Sequence, residues 1–238
     1  MKETLFGAAC WLMSMCRVAD PSVTVVAVID TGISPNTPVK VCPHGSFNFI
    51  NDTADVTDYH GHGTNVSGLI DQSAHDKNYC QMILKYYSDT ATGKVNEQRM
   101  IRALQAAVNA KADYINISGG GPEPDPTERA LVEKALDNGT VIVAAAGNEG
   151  VSLDKKCNYY PACYDKRIIV VGNLGLNGHR APSSNWGKIV KHFIVGENRC
   201  ALGICSTGTS QATAIVTGRL VRDDYKIHVD YRRRVDSK

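Results

Sequence analysis

The sequence predicts an α/β fold of three layers, a mostly parallel β-sheet with helices on both faces. Short continuous runs of β-branched and small apolar residues recur along the chain, as strands buried on both faces produce. Between them lie longer stretches with apolar residues at helical spacing, and strands that alternate with helices assemble into a parallel sheet. At 238 residues, with no Pro/Gly/Ser-rich linker, the chain suits one such domain.

The elements follow in order. Residues 4–17 form a short apolar run after one lysine, offset by Glu3; it lacks a basic start and a clear cleavage site. The run also falls short of the roughly 20 residues that cross a bilayer. It reads as a helix packed on the domain, or as a cryptic export or lipoprotein signal. Residues 23–29 are a buried strand that ends at Asp30-Thr31-Gly32. A charged residue there is a site candidate, because open α/β sheets bind ligands at the C-terminal ends of their strands. Residues 63–70 begin a helix opened by glycines, and 82–87 read as a strand. Residues 96–110 have helical spacing at Ile101, Leu104, Ala107 and Val108. Residues 114–118 are a strand running into Gly119-Gly120-Gly121-Pro122. Residues 127–138 are a helix with Gly139 as its C-terminal cap. Strands at 140–146 and 167–172 follow, and a last helix begins at or near Ser210. The domain thus spans 22–222, between an N-terminal extension (1–21) and a basic tail (223–238) that holds Arg232-Arg233-Arg234, read as a solvated terminus.

Composition is that of a globular protein, 43% hydrophobic and 21% charged. A formal charge of +2 argues against a nucleic-acid partner, which calls for a strongly basic face. The cysteines (10, 16, 42, 80, 157, 163, 200 and 205) form no C-x-x-C pairs, which argues against zinc. Cys157 with Cys163 and Cys200 with Cys205 close short disulfide loops if the protein is exported, or stay as buried thiols in a reducing compartment.

Three polar residues stand at the ends of apolar elements: Asp30 after a strand, His62 opening a helix and Ser210 opening another. Singly they read as a turn aspartate, a core histidine and a helix N-cap. Together they are what a nucleophilic hydrolase needs. A serine hydroxyl attacks only when an imidazole takes its proton, and a buried carboxylate orients that imidazole. In the stretch His60-Gly61-His62 a metal pair is the poorer reading, because ligands two apart at a helix start lack the facing of a helical zinc site. A dinucleotide-binding reading fails because no G-x-G-x-x-G follows the first strand.

The blocks VVAVIDTGI around Asp30, HGTNVSG around His62, INISGGGP at 115–122, VAAAGNEG at 143–150 and GTSQATA at 208–214 resemble, in order and spacing, those of subtilisin-like serine proteases. The resemblance covers roughly residues 22 to 220. It implies the subtilisin-like fold and a serine endopeptidase acting through an acyl-enzyme, with Ser210 as nucleophile, His62 as base and Asp30 as its orienter. The alternative is a catalytically silent peptide-binding or scaffold module on the same fold. The resemblance places an oxyanion hole at the Asn148 side chain and the Ser210 N–H, at the positive end of a helix. It assigns extended peptide substrate to Ser118, Gly119 and Gly120, which with Ala145, Ala146 and Gly147 would wall the pocket for the residue before the scissile bond, and it puts Tyr159 near the floor of that pocket, where it would narrow it. Gly119 stands where many relatives carry leucine, which predicts more open pockets away from the scissile bond. Glu149 reads as a rim charge favouring a basic residue, or as an exposed turn glutamate. Tyr159-Tyr160-Pro161-Ala162 resembles a family turn with a cis proline.

The chain departs from the family at Asn65, usually histidine, at Gln211, usually methionine, and at Ala214, usually proline. No cofactor is implied; structural calcium is possible in the family but not traceable here. Asp52, Asp55 and Asp58 lack EF-hand spacing and read as a solvated loop, with Asp58 matching the acidic residue that often precedes the histidine block. His60 reads as a loop residue near the cleft. With 29 residues before Asp30 and 28 after Ser210, the expectation is a chain that folds without a propeptide or whose start is internal. The family and the cysteine content favour a secreted or cell-surface location, without a clear signal peptide.

Overall fold

The computed structural model describes residues 18–222. The expected helix at 4–17 and the tail from 223 lie outside them. The strands are β1 (Thr24–Asp30), β2 (Phe47–Asn48), β3 (Tyr79–Lys85), β4 (Tyr114–Ile117), β5 (Val141–Ala145), β6 (Ile169–Leu174), β7 (Val190–Val195), β8 (Arg199–Ala201) and β9 (Ile204–Ser206). The helices are α1 (His62–Ala74), α2 (Gly93–Asn109), α3 (Pro126–Asp137) and α4 (Thr209–Val221).

Seven strands make one parallel sheet in the order β2-β3-β1-β4-β5-β6-β7. Side chains of a strand alternate between faces, and here both faces are apolar. Val25, Ala27 and Ile29 of β1 pack with Ala103, Leu104 and Ala107 of α2 and Leu131, Val132 and Ala135 of α3. Val26 and Val28 pack with Val66 and Ile70 of α1 and Ala214 and Ile215 of α4. The three layers are those the sequence predicts. From β1 the chain runs outward to β3, then returns to β4 on the other side of β1. That reversal opens a crevice at the C-terminal ends of β1 and β4, where Asp30 and Ser118 lie.

Local chemistry sets the helix ends. Asp125 caps α3, accepting from the N–H of Thr127 and Glu128, with Pro126 in the first turn. Gly139 follows its last turn at φ 87°, in the left-handed region a C-terminal cap requires. Helix α2 starts at Gly93, ahead of the expected 96, because Thr92 caps it through the Val95 N–H. Strand β3 starts at Tyr79, ahead of the expected 82. The buried Gln81 interrupts its apolar run, its amide donating to the Ser67 carbonyl.

Both short cysteine pairs form disulfides, Cys157–Cys163 and Cys200–Cys205, and Cys42 pairs with Cys80 on β3. The reduced-thiol alternative is thereby set aside for these residues. The Tyr160–Pro161 bond is cis.

The solvated-loop expectation fails for Asp58. It is buried, and its carboxylate accepts from the Thr31 hydroxyl, from the N–H of His60, Gly61 and Thr64, and from the Thr64 hydroxyl. Burial raises its pKa, but the Thr64 hydroxyl and these N–H groups outweigh burial and hold the carboxyl below its usual range. Asp52 and Asp55 are exposed; Asp52 pairs with Arg102 at 2.6 Å and Asp55 accepts from the Thr57 N–H.

Candidate active site

The site is built from strand ends and helix starts. Asp30 closes β1 and is 4% exposed; its Oδ1 accepts from the Thr31 N–H and lies 2.7 Å from His62 Nδ1. His62 is the first residue of α1. Gly63 makes the approach possible, since a Cβ there would stand 2.4 Å from the Gly32 carbonyl oxygen. The Gly63 N–H also donates to Thr31 Oγ1, which itself donates to Asp58. The imidazole is thus fixed by the strand end on one side and by the Asp58-centred turn on the other.

The Asp30 charge raises the His62 pKa above the ordinary histidine value; burial opposes this, and the hydrogen bond to Asp30 and the charge of Asp58 add to it. With Nδ1 donating to Asp30, Nε2 is left as the basic nitrogen.

Ser210 sits in the first turn of α4, 7% exposed. Its hydroxyl donates to the Ser118 carbonyl at 2.7 Å, and Ser118 Oγ donates back to the Ser210 carbonyl. Asn116 donates to Ser118 Oγ and accepts from Thr217, so a buried polar ladder binds α4 to β4. The first N–H groups of a helix have no acceptor within it. The Thr209 N–H and hydroxyl both donate to Asn148 Oδ1, at 3.0 and 3.2 Å. That contact orients the amide: Oδ1 is the acceptor, so Nδ2 is the end left to donate. Sequence reasoning passed over Thr209, Thr31 and Thr64, the hydroxyls that position these groups.

Ser118, Gly119 and Gly120 continue from β4, and Ala145, Ala146 and Gly147 close and follow the neighbouring β5. Asn185 braces the second segment, donating to the Ala146 carbonyl and to Glu149 Oε2. Glu149 is exposed but tethered there. At Gly119 an added Cβ would lie 2.9 Å from the Tyr86 hydroxyl. Tyr159 lies between the two segments. His60 precedes α1, with Nε2 3.6 Å from Asp89 and its ring edge-on to His62 and Tyr87.

Residues 22–222 match the Subtilase family, Peptidase S8. The chain belongs to the subtilase family. It is 32% identical over 219 residues to the major intracellular serine protease of Bacillus subtilis (strain 168), covering 82% of this chain and 66% of that relative. It is 32% identical over 208 residues to Subtilisin DY of Bacillus licheniformis, covering 81% and 73%. The intracellular serine protease of Paenibacillus polymyxa is 32% identical over 82% of this chain and 64% of its own length, so this subtilase spans slightly under two thirds of the first relatives it matches. Among solved structures, a cold adapted subtilisin-like serine proteinase aligns with a TM-score of 0.71 and 26% identity, over 85% of this chain and 76% of the other. The epidermin leader peptide processing serine protease of Staphylococcus aureus aligns at 0.71 with 21% identity, over 86% and 65%, a likeness of fold.

Proposed function

We propose that this subtilase is a serine endopeptidase that cleaves polypeptides bound in extended form, through an acyl-enzyme on Ser210. The observation that carries the reading is the 2.7 Å contact between His62 Nδ1 and the buried Asp30 carboxylate, at the strand-end crevice that also holds Ser210. In this reading Asp30 holds the imidazole with Nδ1 protonated, and Nε2 takes the Ser210 proton as the hydroxyl leaves the Ser118 carbonyl for the substrate. The oxygen attacks the scissile carbonyl, and the developing negative charge faces the Ser210 N–H at the start of α4 and Asn148 Nδ2. The imidazolium then protonates the departing amine, and water repeats the sequence to release the acyl group. The polypeptide pairs its backbone with Ser118–Gly120, as an added strand does. No cofactor enters this chemistry.

Incubation of an unfolded polypeptide with the purified chain, followed by mass spectrometry of the products, tests the proposal. Internal cleavage that disappears in Ser210→Ala supports it; equal product formation by the two proteins contradicts it. A folded wild type that labels at no serine and cleaves nothing, yet binds extended peptides, would favour a silent binding module.

A further inference from the structure

The segments Ser118–Gly121 and Ala145–Gly147 leave adjacent parallel strands and flank the crevice beside Ser210. In the proposed reading, the substrate side chain next to the scissile bond descends between these two backbones. Here the gap is already filled. A Cβ at Gly120 would stand 2.7 Å from Cε1 and 3.0 Å from Cζ of Tyr159. A Cβ at Gly147 would stand 2.8 Å from Cε2 of the same ring. The hydroxyl-bearing end of the phenol therefore spans from one wall to the other, in contact with both glycines.

The backbone that carries the ring is held from several sides. The Gly121 N–H donates to the Tyr160 carbonyl at 3.0 Å and the Tyr160 N–H donates to the Gly121 carbonyl at 2.8 Å, fixing the backbone next to Tyr159 on the Ser118–Gly121 wall. The Tyr159 carbonyl accepts from the Cys163 N–H at 2.9 Å, and the Cys157–Cys163 disulfide closes the loop around it. On the far wall the Glu149 carboxylate, tied to Asn185, stands against Gly147. These bonds fix the backbone from which the ring projects, and the two glycine walls enclose the ring itself.

We propose that Tyr159 closes the pocket for the residue that supplies the scissile carbonyl, so that this subtilase accepts a small uncharged residue there: glycine, alanine or serine. The inference rests on the proposed protease reading for its catalytic consequence, but its steric content holds for any extended peptide in the crevice.

Two measurements test it. In the first, a set of quenched fluorescent peptides identical except for alanine, serine, leucine, phenylalanine or lysine before the bond is assayed with wild type, Tyr159→Gly and Tyr159→Phe. Wild type and Tyr159→Phe, which keeps the ring, are expected to favour alanine and serine over phenylalanine by about 100-fold in kcat/KM, the scale on which a pocket discriminates by size. Tyr159→Gly is expected to raise phenylalanine and leucine by a similar factor and leave alanine within a few-fold; Tyr159→Ala replaces it if the glycine variant does not fold.

In the second, Ser210→Ala chains with and without Tyr159→Gly are titrated with labelled hexapeptides ending in alanine or phenylalanine. The alanine peptide binds more tightly to the first chain, and the preference shrinks or reverses in the second. Absence of hydrolysis with this affinity order intact overturns the protease reading and supports the pocket assignment. Equal affinities in both chains, or a wild type that cleaves after phenylalanine as well as after alanine, overturns the assignment of Tyr159.

Discussion

Gln211 Nε2 donates to Asn65 Oδ1 at 3.1 Å, joining α4 to α1 through two side chains that are both buried. These are two of the three positions at which the resemblance to the family sets the chain apart, and their side chains pair with each other. Asn65 Nδ2 also donates to the carbonyls of Arg199 at 3.1 Å and Ile204 at 2.8 Å. The pair thus ties the helices of His62 and Ser210 to the hairpin that Cys200–Cys205 closes.

Breaking that pair on one side strands the other. Asn65→Leu or Gln211→Leu should each cost about 1–3 kcal/mol, the penalty for a buried polar group left unpaired. The double variant should cost less than the sum, with a coupling of about 0.5–3 kcal/mol. Urea unfolding in a Ser210→Ala background, which removes the proposed nucleophile, measures this; strict additivity would show that the two side chains do not interact.

The groups assigned to the oxyanion and to the imidazole make different predictions. Asn148→Leu removes one donor to the developing charge and should lower kcat about 10²–10³-fold with little change in KM. Asp30→Asn keeps the shape but disfavours the Nδ1–H tautomer, and should lower kcat by about 10⁴-fold. Steady-state kinetics with the best peptide substrate distinguish these outcomes from a rise in KM alone.

In the proposed mechanism His62 acts as a base only when neutral. Because the Asp30 charge raises its pKa, activity should fall on the acid side through a midpoint above the ordinary histidine value of about 6.5. Asp58→Asn removes a smaller raising charge and should shift that midpoint to lower pH. The pH dependence of kcat/KM reads both; a midpoint below the ordinary value contradicts the pairing.

Glu128 is buried in α3 beneath Tyr164, whose hydroxyl donates to it at 2.7 Å. Burial pushes its carboxyl up to about 7; the Tyr164 hydrogen bond opposes this, and the charges of Glu97 and Asp125 add to it. The folded chain therefore holds a proton that the unfolded chain has already released. The stability this contributes is full below the unfolded pKa of about 4.5 and lost as pH rises through about 7. Glu128→Gln should flatten that decline, so its Tm advantage over the parent, both in the Ser210→Ala background, should grow between pH 5 and pH 7.5. A constant difference across that range would contradict the assignment.

Much of this was legible because the residues assigned to the chemistry stand at the edges of apolar runs. Val25–Ile29 announces a buried strand, and Asp30 marks its end; the same holds for Ser118 after β4 and Asn148 after β5. The β8–β9 hairpin was not legible, since its turn places Leu202 at φ 52° and Gly203 at φ 80°. Leucine is a poor signal for a left-handed position, where Asn or Asp would have announced the turn. Strand β7 hides behind Lys191 and His192, and β2 is only Phe47–Asn48. Asp58 read as a surface acid because its acceptor role depends on Thr31, distant in sequence, and on N–H groups that converge only once α1 has formed.

The central claim is that His62 and Asp30 make Ser210 a nucleophile. Reaction of the folded chain with a fluorophosphonate probe, followed by mass mapping of the modified residue, tests it most directly. The account predicts modification at Ser210, none in Ser210→Ala, and a strongly slowed rate in His62→Ala. Labelling of wild type no faster than Ser210→Ala, or at the same rate with and without His62, would contradict it.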